Sequence, residues 1–122
     1  MCRQKWTCCR GKCYHFSQES KNFGDSRAFC NRMDSKLVKI EDEQQLNFIQ
    51  SQITYYSWVG LSRQGTASVW TWEDNSQPLL EFDWEESSRG NCGSITASTM
   101  AAADCAKLMH IVCEKRLSCL ST

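Results

Sequence analysis

The sequence is poor in the features that would mark several broad classes of protein. It has one proline, Pro78, and no apolar run near the length of about eighteen residues that a membrane-spanning helix needs. Its formal net charge is zero, which excludes the overall basic surface expected of a nucleic-acid binder. No CxxC pair occurs and the two histidines, His15 and His110, stand alone, so zinc ligand spacing is missing. No Asn-x-Ser/Thr sequon occurs, and Met1-Cys2-Arg3-Gln4-Lys5 does not open a signal peptide. The expectation is a piece of a longer exported protein whose anchor lies elsewhere.

Cysteine, by contrast, is abundant: nine in 122 residues, a density that points to an oxidising compartment and a disulfide framework. Five Trp and five Phe spread among polar residues predict one packed domain over 1–122. Charge is uneven along the chain. Arg3, Lys5, Arg10 and Lys12 precede any acid, while Glu73, Asp74, Glu81, Asp83, Glu85 and Glu86 fall in a stretch with no base. Two unlike poles are expected.

Cys13-Tyr14-His15-Phe16 reads as a strand, and Phe23, Arg27, Cys30 and Met33 recur at helical spacing with Cys30 pointing inward. Leu37–Ile40 reads as a second strand. A second helix is predicted from the capping box Asp42-Glu43-Gln44-Gln45, with Leu46, Ile49 and Ile53 as its buried stripe. Trp58–Leu61, Val69–Trp72, Asn91–Ile95 and Met109–Glu114 are further strands, and Glu73 to Asn91 reads as a long loop of the kind that carries function.

Five local signatures in this order resemble those of C-type lectin-like domains: Cys2-Arg3-Gln4-Lys5-Trp6 with Cys13-Tyr14-His15-Phe16-Ser17, the helical Cys30, Trp58-Val59-Gly60-Leu61, Trp70-Thr71-Trp72-Glu73-Asp74, and Ile111-Val112-Cys113-Glu114. Arg3 stands where the family's opening motif has proline. The wording of Trp58 to Arg63 and Trp70 to Asp74 is most similar to natural killer cell lectin-like receptors. The resemblance implies an α+β fold over residues 2–115 with a short tail 116–122, made of two helices, two small antiparallel sheets and a long loop. It also implies the extracellular domain of a single-pass type II membrane protein at the cell surface, usually a homodimer.

The same resemblance implies the pairs Cys2–Cys13, Cys30–Cys113 and Cys92–Cys105, which on a chain-entropy model would contribute roughly 3, 4.5 and 3 kcal/mol. Cys8, Cys9 and Cys119 are left over. Either Cys8 pairs with a cysteine upstream of the chain, or Cys8 or Cys9 pairs with Cys119, or one of them bridges two protomers.

Sugar-binding members hold calcium through carboxylate and amide oxygens, whereas the corresponding positions before Cys105 are Met100-Ala101-Ala102. No metal, no cofactor and no catalysis are therefore expected, and the two histidines read as ordinary strand residues. Carried onto this chain, the receptors' ligand face comprises Arg63, Glu81, Phe82, Asp83, Trp84, Glu85, Glu86, Arg89, Ser98, Thr99 and Met100, with Trp84 and Met100 as candidate anchors. The expected partner is a cell-surface protein with a basic contact surface. Calcium-independent glycan binding and a secreted venom-type subunit are the alternatives.

Overall fold

The computed structural model describes residues 5–65, 67–79 and 90–117. Strands β1 (Thr7–Cys9) and β2 (Lys12–Lys21) form a hairpin around Arg10 and Gly11, whose φ angles are 57° and 87°. Positive φ at both central residues is the two-residue turn that matches the twist of a hairpin, and Gly11 takes the larger angle without penalty. The tight turn sets Cys8 directly opposite Cys13 and Cys9 opposite Lys12.

Helix α1 (Phe23–Asn31) begins at Asn22, whose side chain accepts the amide of Asp25 at 2.8 Å. It buries Phe23, Ser26 and Cys30, while Arg27, expected on the same face, lies exposed at its edge. After β3 (Lys36–Leu37), helix α2 (Glu43–Gln52) starts at Asp42, which accepts the Gln45 amide at 2.8 Å. The returning half of the box is displaced by one residue, because Gln45 accepts from the amide of Glu41 instead of Asp42. Ile49 is fully buried, with Leu46 and Ile53 packed half-buried beside it.

The remaining strands are β4 (Ser57–Ser62), β5 (Thr71–Trp72), β6 (Cys92–Ile95), β7 (Met100–Ala103) and β8 (Met109–Arg116). They join in the order β1-β2-β8-β4-β6-β7, with β3 on β8 and β5 on β4. The two antiparallel groups expected from the sequence are both present. They are linked by a short parallel contact, Ser57 to His110 and Trp58 to Ile111. Two strands were not anticipated: β1, and β7, whose Met-Ala-Ala-Ala would favour a helix by propensity alone.

One core cluster gathers Tyr14, Val38, Ile40, Ile49, Val59, Leu61, Trp72, Ile95, Met100 and Val112, and a second lies around Trp58 beneath α1. Trp58 is fully buried, meets Phe23 edge to face at 5.5 Å, and donates its indole N–H to the carbonyl of Lys21 at 2.9 Å. A buried indole has found the partner its N–H requires.

Disulfides join Cys30 to Cys113 and Cys92 to Cys105. The first ties α1 to β8 across 83 positions. The expected pair Cys2–Cys13 is replaced by Cys8–Cys13, because the hairpin register brings those two α-carbons to 3.9 Å. Cys8 is thereby unavailable to Cys119, and Cys9 is a free thiol. Cys2 and Cys119 lie outside the described residues.

Candidate recognition surface

Of the residues proposed from the sequence as a ligand face, Arg63, Ser98, Thr99 and Met100 are described; Glu81, Phe82, Asp83, Trp84, Glu85, Glu86 and Arg89 lie outside the described residues. The described four are not brought together. Arg63 follows β4 and sits at the start of β6, whereas Ser98 and Thr99 lie in the β6–β7 turn at its other end. At roughly 3.3 Å per strand residue, the two sites are about 15 Å apart.

Arg63 is held on every side. Its Nε donates to Asn91 Oδ1 at 3.1 Å, its Nη2 donates to the carbonyl of Gly90 at 2.9 Å, and its backbone amide donates to the Asn91 carbonyl at 2.9 Å. The guanidinium also lies 4.6 Å from the centre of the Trp70 ring, within cation–π range. These contacts make Arg63 a clamp on Gly90 and Asn91, just before β6 begins. Gly90 is required there: a Cβ on it would fall 1.8 Å from the Ala103 carbonyl group.

At the other end of β6, Thr96 Oγ1 accepts from the amides of Ser98 and Thr99 and lies 3.1 Å from the Thr99 hydroxyl. The turn presents Ser98 to solvent with its backbone preset. Met100 departs from the expectation. Its side chain is 2 % exposed within the main core cluster, since β7 alternates inward at that position, so it cannot act as a surface anchor.

The neighbouring Ala101 and Ala102 carry only methyl groups, and Ser94 donates its hydroxyl to the Ala101 carbonyl at 3.0 Å. Neither alanine offers a side-chain oxygen to a ligand. Among the described residues, no group of three or more His, Cys, Asp or Glu side chains is placed to hold a metal ion.

The two-pole reading of the charge holds only in part. Lys12 and Arg116 are opposed in the β2–β8 ladder, and Lys115 lies 4.2 Å over the Trp6 ring, so the early basic residues do meet the end of the chain. Glu73 and Asp74, however, do not belong to a separate acidic pole. Asp74 accepts from Lys39 Nζ at 2.7 Å, and Glu73 lies 3.9 Å from Arg27. Hydrogen bonds from Lys39 and from Ser76 hold the Asp74 carboxyl well below its usual range, and Asp74 in turn raises the Lys39 ammonium above its own.

Glu114 was anticipated only as the last letter of a motif. It is 4 % exposed, accepts the Lys39 amide at 3.1 Å, and faces the ammoniums of Lys12 at 3.6 Å and Lys36 at 3.9 Å. Burial still raises its carboxyl above the usual value, against the pull of those lysines, and pushes the neighbouring Tyr14 hydroxyl up to about 12. The sequence signal for this role was an acid ending the apolar run Ile111-Val112-Cys113, a position that a strand turns inward.

His15 and His110 each donate a ring N–H to a backbone carbonyl within the fold. His15 Nδ1 is 2.9 Å from the Lys5 carbonyl, His110 Nδ1 is 3.2 Å from the Ser17 carbonyl, and the Tyr55 ring packs on His110 at 5.5 Å.

The chain matches the Lectin C-type domain model over residues 19–115. It is 32% identical over 118 residues to killer cell lectin-like receptor subfamily F member 1 of Macaca fascicularis, covering 93% of this chain and 51% of the relative. It is likewise 32% identical to the NKG2-D type II integral membrane protein of Mus musculus, with 94% and 50% covered. The chain thus spans about half the length of these relatives. Among solved structures it superposes on the mouse scavenger receptor C-type lectin carbohydrate-recognition domain with a TM-score of 0.85 at 27% identity, covering 98% of this chain and 99% of that one. It superposes on the natural killer cell receptor Ly49C with 0.82 at 26%, covering 97% and 96%. With the lectin model matched across most of its length and its helices and strands in the same architecture, this chain belongs to the C-type lectin domain family and is related to the natural killer cell lectin-like receptors.

Proposed function

We propose that the chain is the extracellular recognition domain of a natural killer type lectin-like receptor, or of the lectin-like ligand of one, and that it binds a cell-surface protein without calcium and without catalysis. The observation that carries this reading is the Ala101–Ala102 pair. A calcium ion wants several oxygen ligands, and methyl groups supply none. A protein partner can instead use the surface around the Arg63 clamp, with Glu81, Asp83, Trp84, Glu85, Glu86 and Arg89 on the segment that Arg63 and Gly90 anchor. The acids on that segment favour a partner with a basic contact surface.

Relatives such as the NKG2-D type II integral membrane protein support a cell-surface, single-pass placement for the whole protein, and homodimer formation is part of the same proposal. No helix among the described residues is long and apolar enough to cross a membrane. The alternative of calcium-independent glycan binding is favoured by one observation: the similar structures include carbohydrate-recognition domains.

The test is binding of the folded domain to arrayed cell-surface proteins and arrayed glycans, each with calcium and with chelator. Saturable protein binding that survives chelation, slows with rising salt, and is lost in Trp84→Ala supports the proposal. Glycan binding that requires calcium overturns it.

A further inference from the structure

We propose that the cleft between β2, β3 and the end of β8 is a binding site for a sulfated polysaccharide, separate from the surface that takes the protein partner. The cleft has a volume of about 460 Å³, and five cationic side chains line it: Lys12, Lys36, Lys39, Lys115 and Arg116. Four carboxylates share it, so its selectivity depends on which charges are already matched.

Three of the acids are committed. Glu114 lies in the floor, 4 % exposed, and its charge is divided between Lys12 and Lys36. Asp74 sits 2.7 Å from the ammonium of Lys39, and Glu41 lies between Lys39 at 3.7 Å and Lys12 at 3.5 Å. Asp34 is exposed at the rim and forms no ion pair with a described residue. The cations are less well served. Lys36 reaches Glu114 only at 3.9 Å, Lys115 rests on the Trp6 ring, and Arg116 forms no ion pair with any described residue.

Lys12 and Arg116 are direct cross-strand partners, and Glu41 at 3.5 Å and Glu114 at 3.6 Å already answer the Lys12 ammonium, which leaves Arg116 as the unmatched cation of the pair. Its guanidinium fork suits a sulfate oxygen pair. Lys36 belongs to the Glu114 level of the ladder and Lys12 to the Arg116 level, two residues further along β8. At about 3.3 Å per residue these levels are roughly 7 Å apart. Two rows of cations at that spacing call for anions repeated along a polymer rather than one isolated group. A sulfated polymer carries more anionic groups per unit length than a singly carboxylated one, so it competes better with the carboxylates already in the cleft.

The experiment measures binding of the 122-residue chain to immobilised heparin as the probe, with unsulfated hyaluronan and phosphatidylserine vesicles alongside, at near-physiological salt. The expected result is saturable heparin binding that weakens steeply with salt, is absent on hyaluronan, and falls at least tenfold in Lys36→Ser/Arg116→Ser. That double variant should lose little melting temperature, since Arg116 is exposed and Lys12 still faces Glu114 when Lys36 is removed, and Lys107→Ser serves as a remote control that leaves binding unchanged. The proposal is overturned by no heparin binding, by binding that the double variant leaves intact, or by equal binding to phosphatidylserine vesicles, which would make the cleft a general anion or membrane surface.

Discussion

Arg63 donates from its guanidinium to the carbonyl of Gly90 at 2.9 Å, and this bond fastens the end of β4 to the residue at which the chain re-enters the sheet. Gly90 in turn lies so close to Ala103 that no side chain fits between them. The two residues fix the chain where the proposed recognition segment ends.

Arg63→Ala is therefore expected to weaken partner binding about tenfold or more while lowering stability by only about 1–2 kcal/mol, the scale of lost hydrogen bonds to a charged donor. Arg63→Lys should behave almost as poorly, because an ammonium cannot serve Asn91 and Gly90 with the same fork. Partner affinity and melting temperature, measured on the same samples, check this. Loss of affinity in proportion to loss of fold would remove the clamp from the account.

Gly60 supports a second packing prediction. A Cβ there would lie 3.0 Å from the Leu37 carbonyl, 3.2 Å from Glu73 Oε2 and 3.3 Å from the Val38 carbonyl. The Gly60 amide meanwhile donates to Val38 at 2.9 Å, so the strand cannot slide away. Gly60→Ala should cost about 1–3 kcal/mol, the usual penalty of overpacking, read by chemical denaturation.

The disulfides should differ in weight by loop length. Removing Cys30–Cys113, which closes 83 positions, is expected to cost about 4.5 kcal/mol, whereas removing Cys8–Cys13, which closes five, should cost about 2. Denaturation of Cys30→Ser and of Cys8→Ser/Cys13→Ser tests the order. Peptide mapping of the unreduced protein should recover Cys8 linked to Cys13, and recovery of Cys2 linked to Cys13 would contradict the hairpin register.

Glu73 gives a pH prediction. Its Oε2 is buried with no hydrogen-bond partner among the described residues, and burial raises its carboxyl above the ordinary value of 4.5 despite Arg27. The folded state thus holds this proton more firmly than the unfolded chain, so stability from this group declines as pH rises from 4.5 through the raised value. Glu73→Gln removes the buried charge. It should raise stability at pH 7 by about 1 kcal/mol and flatten the fall in melting temperature between pH 4.5 and 7.

Much of this architecture could be read from residue patterns, because short-range physics wrote it there. Asp42 with Gln45, the stripe of Leu46, Ile49 and Ile53, and the apolar runs at Trp58 and Ile111 each specify an element through capping or periodicity. The two cysteine links that close large loops followed from family resemblance. What misled was local as well: Met100 has the chemistry of an interface anchor, yet pairing with β6 turns it into the core.

The sequence by itself determined membership of the C-type lectin domain family and that Ala101 and Ala102 carry only methyl groups, since residue identity settles which atoms are available to bind. Only the tertiary structure decided how those atoms are deployed. It set Cys8 against Cys13 through a two-residue turn, tied Arg63 to Gly90 and Asn91, and drew Lys12 and Lys36 from distant parts of the chain to one buried carboxylate. Those relations depend on strand register, which is set by the competition of every buried side chain at once and is not carried by any single stretch of residues.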